Sequence, residues 1–191
     1  MQQNKTILKQ TIMAITEELK QKNYSIFKQK LVEIGVDVSK INSEIENKLI
    51  NGTFALENSL DMGYDGSLLN IVLRTLTPYA LKINELLPEK IRVEKNKLIK
   101  VCLLQHLSKI DMYVKTQNGY KFNPKIVALR FGARSIALAN ELGITFDTEE
   151  IEAILGCDKG SNDEQRWASR PITVVLRQAN ELIPLEAMFG K

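Results

Sequence analysis

The sequence predicts an all-α protein with one small β-hairpin as its only strand structure. Three observations carry this expectation. Apolar residues recur in steps of three and four over most of the chain, the repeat of one helix face. Gly, Pro and Asn-Gly pairs interrupt that repeat at intervals suited to helices of ordinary length. Outside residues 113–122, no segment alternates in the manner of a strand.

Leu8, Ile12, Ile15 and Leu19 put an apolar stripe on a first helix. Two readings stay open: an amphipathic helix docked on the body, or a dimerising coil, for which about two heptads are short. A second helix runs through Ile26, Phe27, Leu31 and Ile34 and ends at Gly35. Ser39 caps a third, which carries Ile41, Ile45, Leu49 and Ile50 and stops at Asn51-Gly52. Gly52 to Gly66 reads as a loop and gives the best boundary. Residues 1–59 are therefore expected to form a helical segment packed on the body, and residues 60–191 the main helical domain.

Beyond Ser67, Leu68, Leu69, Val72, Leu73 and Leu76 share a face that Ile83, Leu86 and Leu87 continue. Pro78 lacks an N–H and should kink or interrupt this helix, and Pro88 closes it. Lys97 to Val114 is the most apolar stretch, with Leu98, Val101, Cys102, Leu103, Leu104, Leu107, Ile110 and Met112 nearly all round. Such a helix is buried on most sides and belongs at the centre of the fold. Asn118-Gly119, between Tyr113-Val114-Lys115 and Tyr120-Lys121-Phe122, signals a hairpin. Pro124 opens a helix through Ile126, Val127, Leu129, Ile136, Leu138 and Leu142 to Gly143. Asp147 and Glu150 have capping-box spacing for a helix over Thr148 to Leu155. Gly156 to Ser169 reads as a polar loop. Pro171 suits the start of a last helix with Ile172, Val175, Leu176, Ala179, Leu182 and Ile183, which Pro184 distorts or ends. The expectation is a bundle of about five helices from residue 60 onward, with the N-terminal helices outside it.

Composition narrows the function classes. Across 191 residues, 44% are apolar and 26% charged, a balance that supports a packed core rather than disorder. A net charge of +3 and 6% aromatics disfavour direct nucleic-acid binding, which draws on a concentrated basic face or stacking platforms. MQQNKTILKQ has no apolar signal core, and no apolar run is long enough to cross a membrane, so a cytoplasmic location with no membrane partner is expected. Two cysteines make no disulfide framework. Cys102 falls in an apolar run and reads as a buried, inert thiol.

Several short segments, taken in order, resemble the HD superfamily of metal-dependent phosphohydrolases. Gly66-Ser67-Leu68-Leu69-Asn70-Ile71-Val72-Leu73-Arg74 resembles the helix bearing that family's first metal-binding histidine, whose place is taken by Ile71. Leu103-Leu104-Gln105-His106-Leu107-Ser108-Lys109-Ile110 resembles the signature helix, with the His-Asp pair replaced by Gln105 and His106 and the lysine kept as Lys109. Leu176-Arg177-Gln178-Ala179-Asn180-Glu181-Leu182 resembles the last metal-binding helix, with Asn180 where the family has aspartate. Phe131-Gly132-Ala133-Arg134-Ser135 is similar to a His-Gly-x-x-Ser helix start, with Phe131 in place of His. The resemblance covers about residues 60–185 and implies an HD-type helical domain.

The departures define the expected function. Family members hold metal with imidazoles and carboxylates, whereas these positions read Ile71, Gln105, His106 and Asn180. An alkyl group has no lone pair, and amide carbonyls are weak ligands. A catalytic metal site takes about three protein ligands, and without the metal no low-pKa water forms near pH 7. The sequence is therefore expected to have no catalytic residue, metal or cofactor of the family's kind, and to be a ligand-binding or protein-interaction module. The alternative is an HD-type phosphohydrolase with an atypical site.

His106, the only histidine, is either a phosphate or proton-transfer group or a helix residue bonded to a neighbour. Lys109, one turn on, either faces the phosphate side that the resemblance implies or extends its stem outward. Arg74 and Arg134 are singly surface charges. Together with Gln105, His106, Lys109 and Asn180 they make a candidate pocket, between the helices bearing Ile71, Gln105 and Asn180, for a small anionic ligand such as a nucleotide or phosphate ester. The competing expectation is that apolar side chains fill that cavity and a protein partner binds elsewhere. Cys157 and Asp158 fall where some family members carry a further histidine, and a plain loop position is the simpler reading. Trp167, the only tryptophan, reads either as a cover for the core or as a partner anchor.

Overall fold

Thr16 starts the first helix, α1 (Glu17–Glu33), by accepting from the Leu19 N–H, with Glu17 and Glu18 favourably placed in the first turn. The computed structural model describes residues 15–54, 63–117, 119–126, 131–157 and 170–189. Leu8 and Ile12 lie outside them. The two helices expected before Gly35 are one from Glu17 on, because no Gly or Pro breaks the stretch and Leu19, Ile26, Phe27 and Leu31 all lie on it. Gly35, at φ +79°, turns the chain out of α1, with its own N–H on the Val32 carbonyl and that of Val36 on Leu31. The next helix, α2 (Ser43–Asn51), is capped by the Asn42 side chain and not by Ser39. Ser39 is held instead in a tight turn, its N–H and hydroxyl both on the Asp37 carboxylate.

Short α3 (Ser67–Ile71) passes into a π-helical turn, Val72–Leu76, and then into α4 (Thr77–Leu86). Pro78 thus interrupts the regular ladder without ending the helix. The Val72 carbonyl accepts from both the N–H and the hydroxyl of Thr77, the latter at 2.7 Å. A 3₁₀ turn, Glu89–Ile91, leads to α5 (Lys95–Leu104), capped by Glu94. Leu98, Val101, Cys102 and Leu104 of α5 are fully enclosed, and the helix packs against α1, α4 and the π turn. That central position matches the expectation.

The expected single helix over Lys97 to Val114 does not form. After Leu104 the chain tightens into a turn with three-residue hydrogen bonds, followed by α6 (Lys109–Met112). The cause is a side chain from another helix. The Ser135 hydroxyl donates to the Gln105 carbonyl at 2.7 Å and accepts from the Ser108 N–H at 3.0 Å, taking the place of the helix's own bonds. Tyr113 and Val114 belong to strand β1 (Tyr113–Thr116), which pairs antiparallel with β2 (Gly119–Phe122), Tyr113 opposite Phe122 and Thr116 opposite Gly119. The hairpin is present as expected, with Gly119 in the ladder opposite Thr116.

Residues 124–126 form a turn rather than a helix start, with the Ile126 N–H on the Asn123 carbonyl. Val127 and Leu129 lie outside the described residues, and α7 spans Phe131–Glu141. The expected capping box opens α8 (Thr148–Cys157): Asp147 N–H to Glu150 at 2.8 Å, Glu150 N–H to Asp147 at 2.9 Å. This helix runs on through Gly156, expected as the start of a loop. A Cβ there would lie 2.6 Å from Thr173 Cγ2, so glycine is what lets α8 approach the last helix. That helix, α9 (Pro171–Phe189), contains Pro184 without stopping at it. Asp158 and Trp167 fall outside the described residues.

One core joins these elements. Phe27 and Leu31 of α1 share it with α3, α5, α8 and α9, so the first helix belongs to the same packed interior as the later ones. The class is all-α, and among the described residues no helix is long and apolar enough to cross a membrane.

Candidate functional site

The break after α5 creates the candidate site. Because the chain turns at Gln105–Ser108, Gln105 and His106 both reach toward α9, where Asn180 faces them. The Asn180 amide donates to the Leu176 carbonyl of its own helix at 2.9 Å and to Gln105 Oε1 at 2.9 Å. Its oxygen lies 2.8 Å from His106 Nε2. An amide oxygen only accepts, so Nε2 carries the proton. Burial first, and the Lys109 charge second, lower the His106 pKa to about 3, against the opposing effect of the Asn180 bond. The result is a neutral chain of two amides and one imidazole.

Three of the four positions compared with metal ligands thus come together. The fourth, Ile71, is buried in the core at the end of α3, beside the π turn that packs on α5 and α9. Gln105 is 3% exposed, and its Nε2 is buried with no hydrogen-bond partner among the described residues. These donors do not fit a divalent metal: one imidazole already committed to an amide, two amides bonded to each other, and an alkyl group. Among the described residues no three His, Cys, Asp or Glu side chains converge elsewhere.

Phe54, which no sequence motif singled out, organises the other side. Its N–H donates to Ser67 Oγ at 2.8 Å, and its ring meets His106 edge to face with centroids 4.7 Å apart. Lys109 does not extend outward; it is 5% exposed. Its ammonium lies 4.5 Å from the Phe54 ring, 5.4 Å from Phe131 and 5.5 Å from Tyr113, and 3.4 Å from the Phe54 carbonyl. Phe131, at a position where the resemblance would place a histidine, is therefore a wall for this cation.

Arg134 stands apart from the amide–imidazole chain and pairs with Asp111 at 3.6 Å. Arg74 is exposed on the π turn. The site thus brings Gln105, His106, Asn180 and, through Phe54, Lys109 together; Arg74 is not part of that cluster. Cys102 is fully buried, and burial raises its pKa, with Cys157 a smaller influence. A cleft of about 410 Å³ opens beside Lys109, between α2 and the hairpin; Ile71, Gln105 and Asn180 do not line it.

No protein-family model, no curated protein and no solved structure matches this chain. The likeness to the HD superfamily stands on the quoted segments alone.

Proposed function

We propose that this chain is a non-catalytic, HD-like domain that binds a small ligand or a protein partner, with the amide–imidazole chain as a structural replacement for a metal centre. One observation carries the reading: Asn180 is hydrogen-bonded to both Gln105 and His106, which ties the three side chains to one another as neutral groups. A general base needs a free lone pair near the reacting proton and a pKa near the working pH. The lone pair of His106 is on Nδ1, since Nε2–H donates to Asn180, and its pKa is lowered to about 3, so protonation near neutrality is remote from it. A cytoplasmic setting belongs to the same proposal and is supported by the two free thiols, Cys102 and Cys157.

The competing reading is a phosphohydrolase with an atypical site. Nucleoside mono-, di- and triphosphates and p-nitrophenyl phosphate, assayed with Mg²⁺, Mn²⁺ or Fe²⁺, separate the two. The proposal expects no phosphate release above buffer. Turnover that needs the metal and disappears in His106→Ala would overturn it.

A further inference from the structure

The geometry points to the cleft beside Lys109 as a site for a compact organic dianion, a phosphomonoester or a dicarboxylate, held by Lys48, Lys109 and Lys115. This deepens the ligand-binding reading above and rests on it. The cleft, about 410 Å³, has the size of a small-molecule site. Three lysines from three different elements line it, Lys48 of α2, Lys109 of α6 and Lys115 of β1, together with Glu44 and Asp65. Lys109 is the fixed member, buried among Phe54, Tyr113 and Phe131. Tyr113 and Tyr120 supply an aromatic wall on the hairpin side.

Carboxylates of the chain itself already occupy the two outer lysines. Lys48 lies 2.8 Å from Glu44 and 3.1 Å from Asp111. Lys115 pairs with Asp65, which also accepts from the Tyr120 hydroxyl. The cleft is therefore furnished for anionic oxygens, and Glu44 is the replaceable one. The Glu44 side chain is 72% exposed, and an ion pair so open to water adds little, whereas Asp65 is 32% exposed and is held by Tyr120 as well. A ligand carrying two charges on one rigid body displaces the flexible Glu44 from Lys48 and brings its second charge toward Lys115 without ordering another side chain. Glu44 can turn to solvent while Lys48 keeps Asp111.

The test is calorimetric titration of the full chain at low salt with AMP, inorganic phosphate and succinate, and with adenosine as the uncharged counterpart. The proposal expects AMP or succinate to bind and adenosine not to; which of the two binds distinguishes phosphate from carboxylate recognition. Lys48→Gln and Lys115→Gln each weaken binding about fivefold, and Glu44→Gln tightens it about threefold by releasing Lys48. All three are surface-reaching positions, and unchanged melting checks that the fold is kept. No dianion binding at about 1 mM, equal binding of adenosine and AMP, or an unaltered affinity in the Lys48→Gln/Lys115→Gln double variant would each overturn the site. Metal-dependent AMP hydrolysis with affinity still lowered by the lysine variants would instead overturn the non-catalytic reading and leave the cleft standing.

Discussion

Acidification should weaken the fold through a single imidazole. The chain has one histidine, so a stability change between pH 7 and pH 5 is traceable to it. The folded pKa of His106 is lowered from 6.5 to about 3, so above pH 6.5 both states are neutral there and stability is at its full value. As pH falls below 6.5 the unfolded chain takes up a proton that the folded one refuses, and stability falls with it until pH reaches the folded value. At about 1.4 kcal/mol per unit, pH 5 removes about 2 kcal/mol, or about 1–2 kcal/mol once the ring's partial solvent contact is allowed for. The carboxylates with lowered pKa values, Asp147 and Glu149 among them, act in the same direction but at lower pH, below their ordinary range. Urea denaturation at pH 7, 6 and 5 measures the effect. With a slope of about 2 kcal/mol per molar, the midpoint should fall by about 0.5–1 M in the wild type. His106→Gln, which keeps hydrogen-bonding capacity without titrating, should remove most of that fall. A wild-type midpoint that stays flat, or the same pH dependence in both proteins, refutes the reasoning.

Two structural predictions follow from the helix ends and contacts. Ser135→Ala leaves the Gln105 carbonyl and the Ser108 N–H without their partner and should cost about 1–3 kcal/mol in chemical denaturation; an effect within about 0.5 kcal/mol would mean that the turn holds without it. Gly156→Ala drives a methyl into Thr173 and should destabilise by about 1–3 kcal/mol, with Thr173→Ser recovering part of the loss by removing the Cγ2 it meets; no recovery in the double variant would place the strain elsewhere.

Much of the fold was legible because local signals and packing agreed. The apolar periodicity that opens α5, the Asp147–Glu150 box and Pro171 at the start of α9 each depend on residues close in sequence; the box and Pro171 appear where expected, and α5 does so up to Leu104. The misreadings came where a distant group decides. Nothing near Gln105 announces that Ser135, 30 residues on, will take its carbonyl and end the helix. Gly156 looks like a loop glycine until Thr173 is seen against it. Of the site, the alignment of Gln105, His106 and Asn180 was available from the spacing of the resembling segments. Phe54 was not, because an aromatic residue in a loop carries no motif, and its partners Ser67, His106 and Lys109 come from three separate stretches. The same distance effect hid the cleft: its lysines come from α2, α6 and β1 and share no pattern in sequence.

The central claim is that neutral groups have replaced a metal centre at Gln105, His106 and Asn180. Elemental analysis of protein purified without chelator, then titrated with Mn²⁺, Fe²⁺ and Zn²⁺ and desalted, tests it most directly. The account predicts well under one metal ion per chain after desalting, with no difference between the wild type and His106→Ala. A stoichiometric metal that survives desalting in the wild type and is lost in His106→Ala would contradict it.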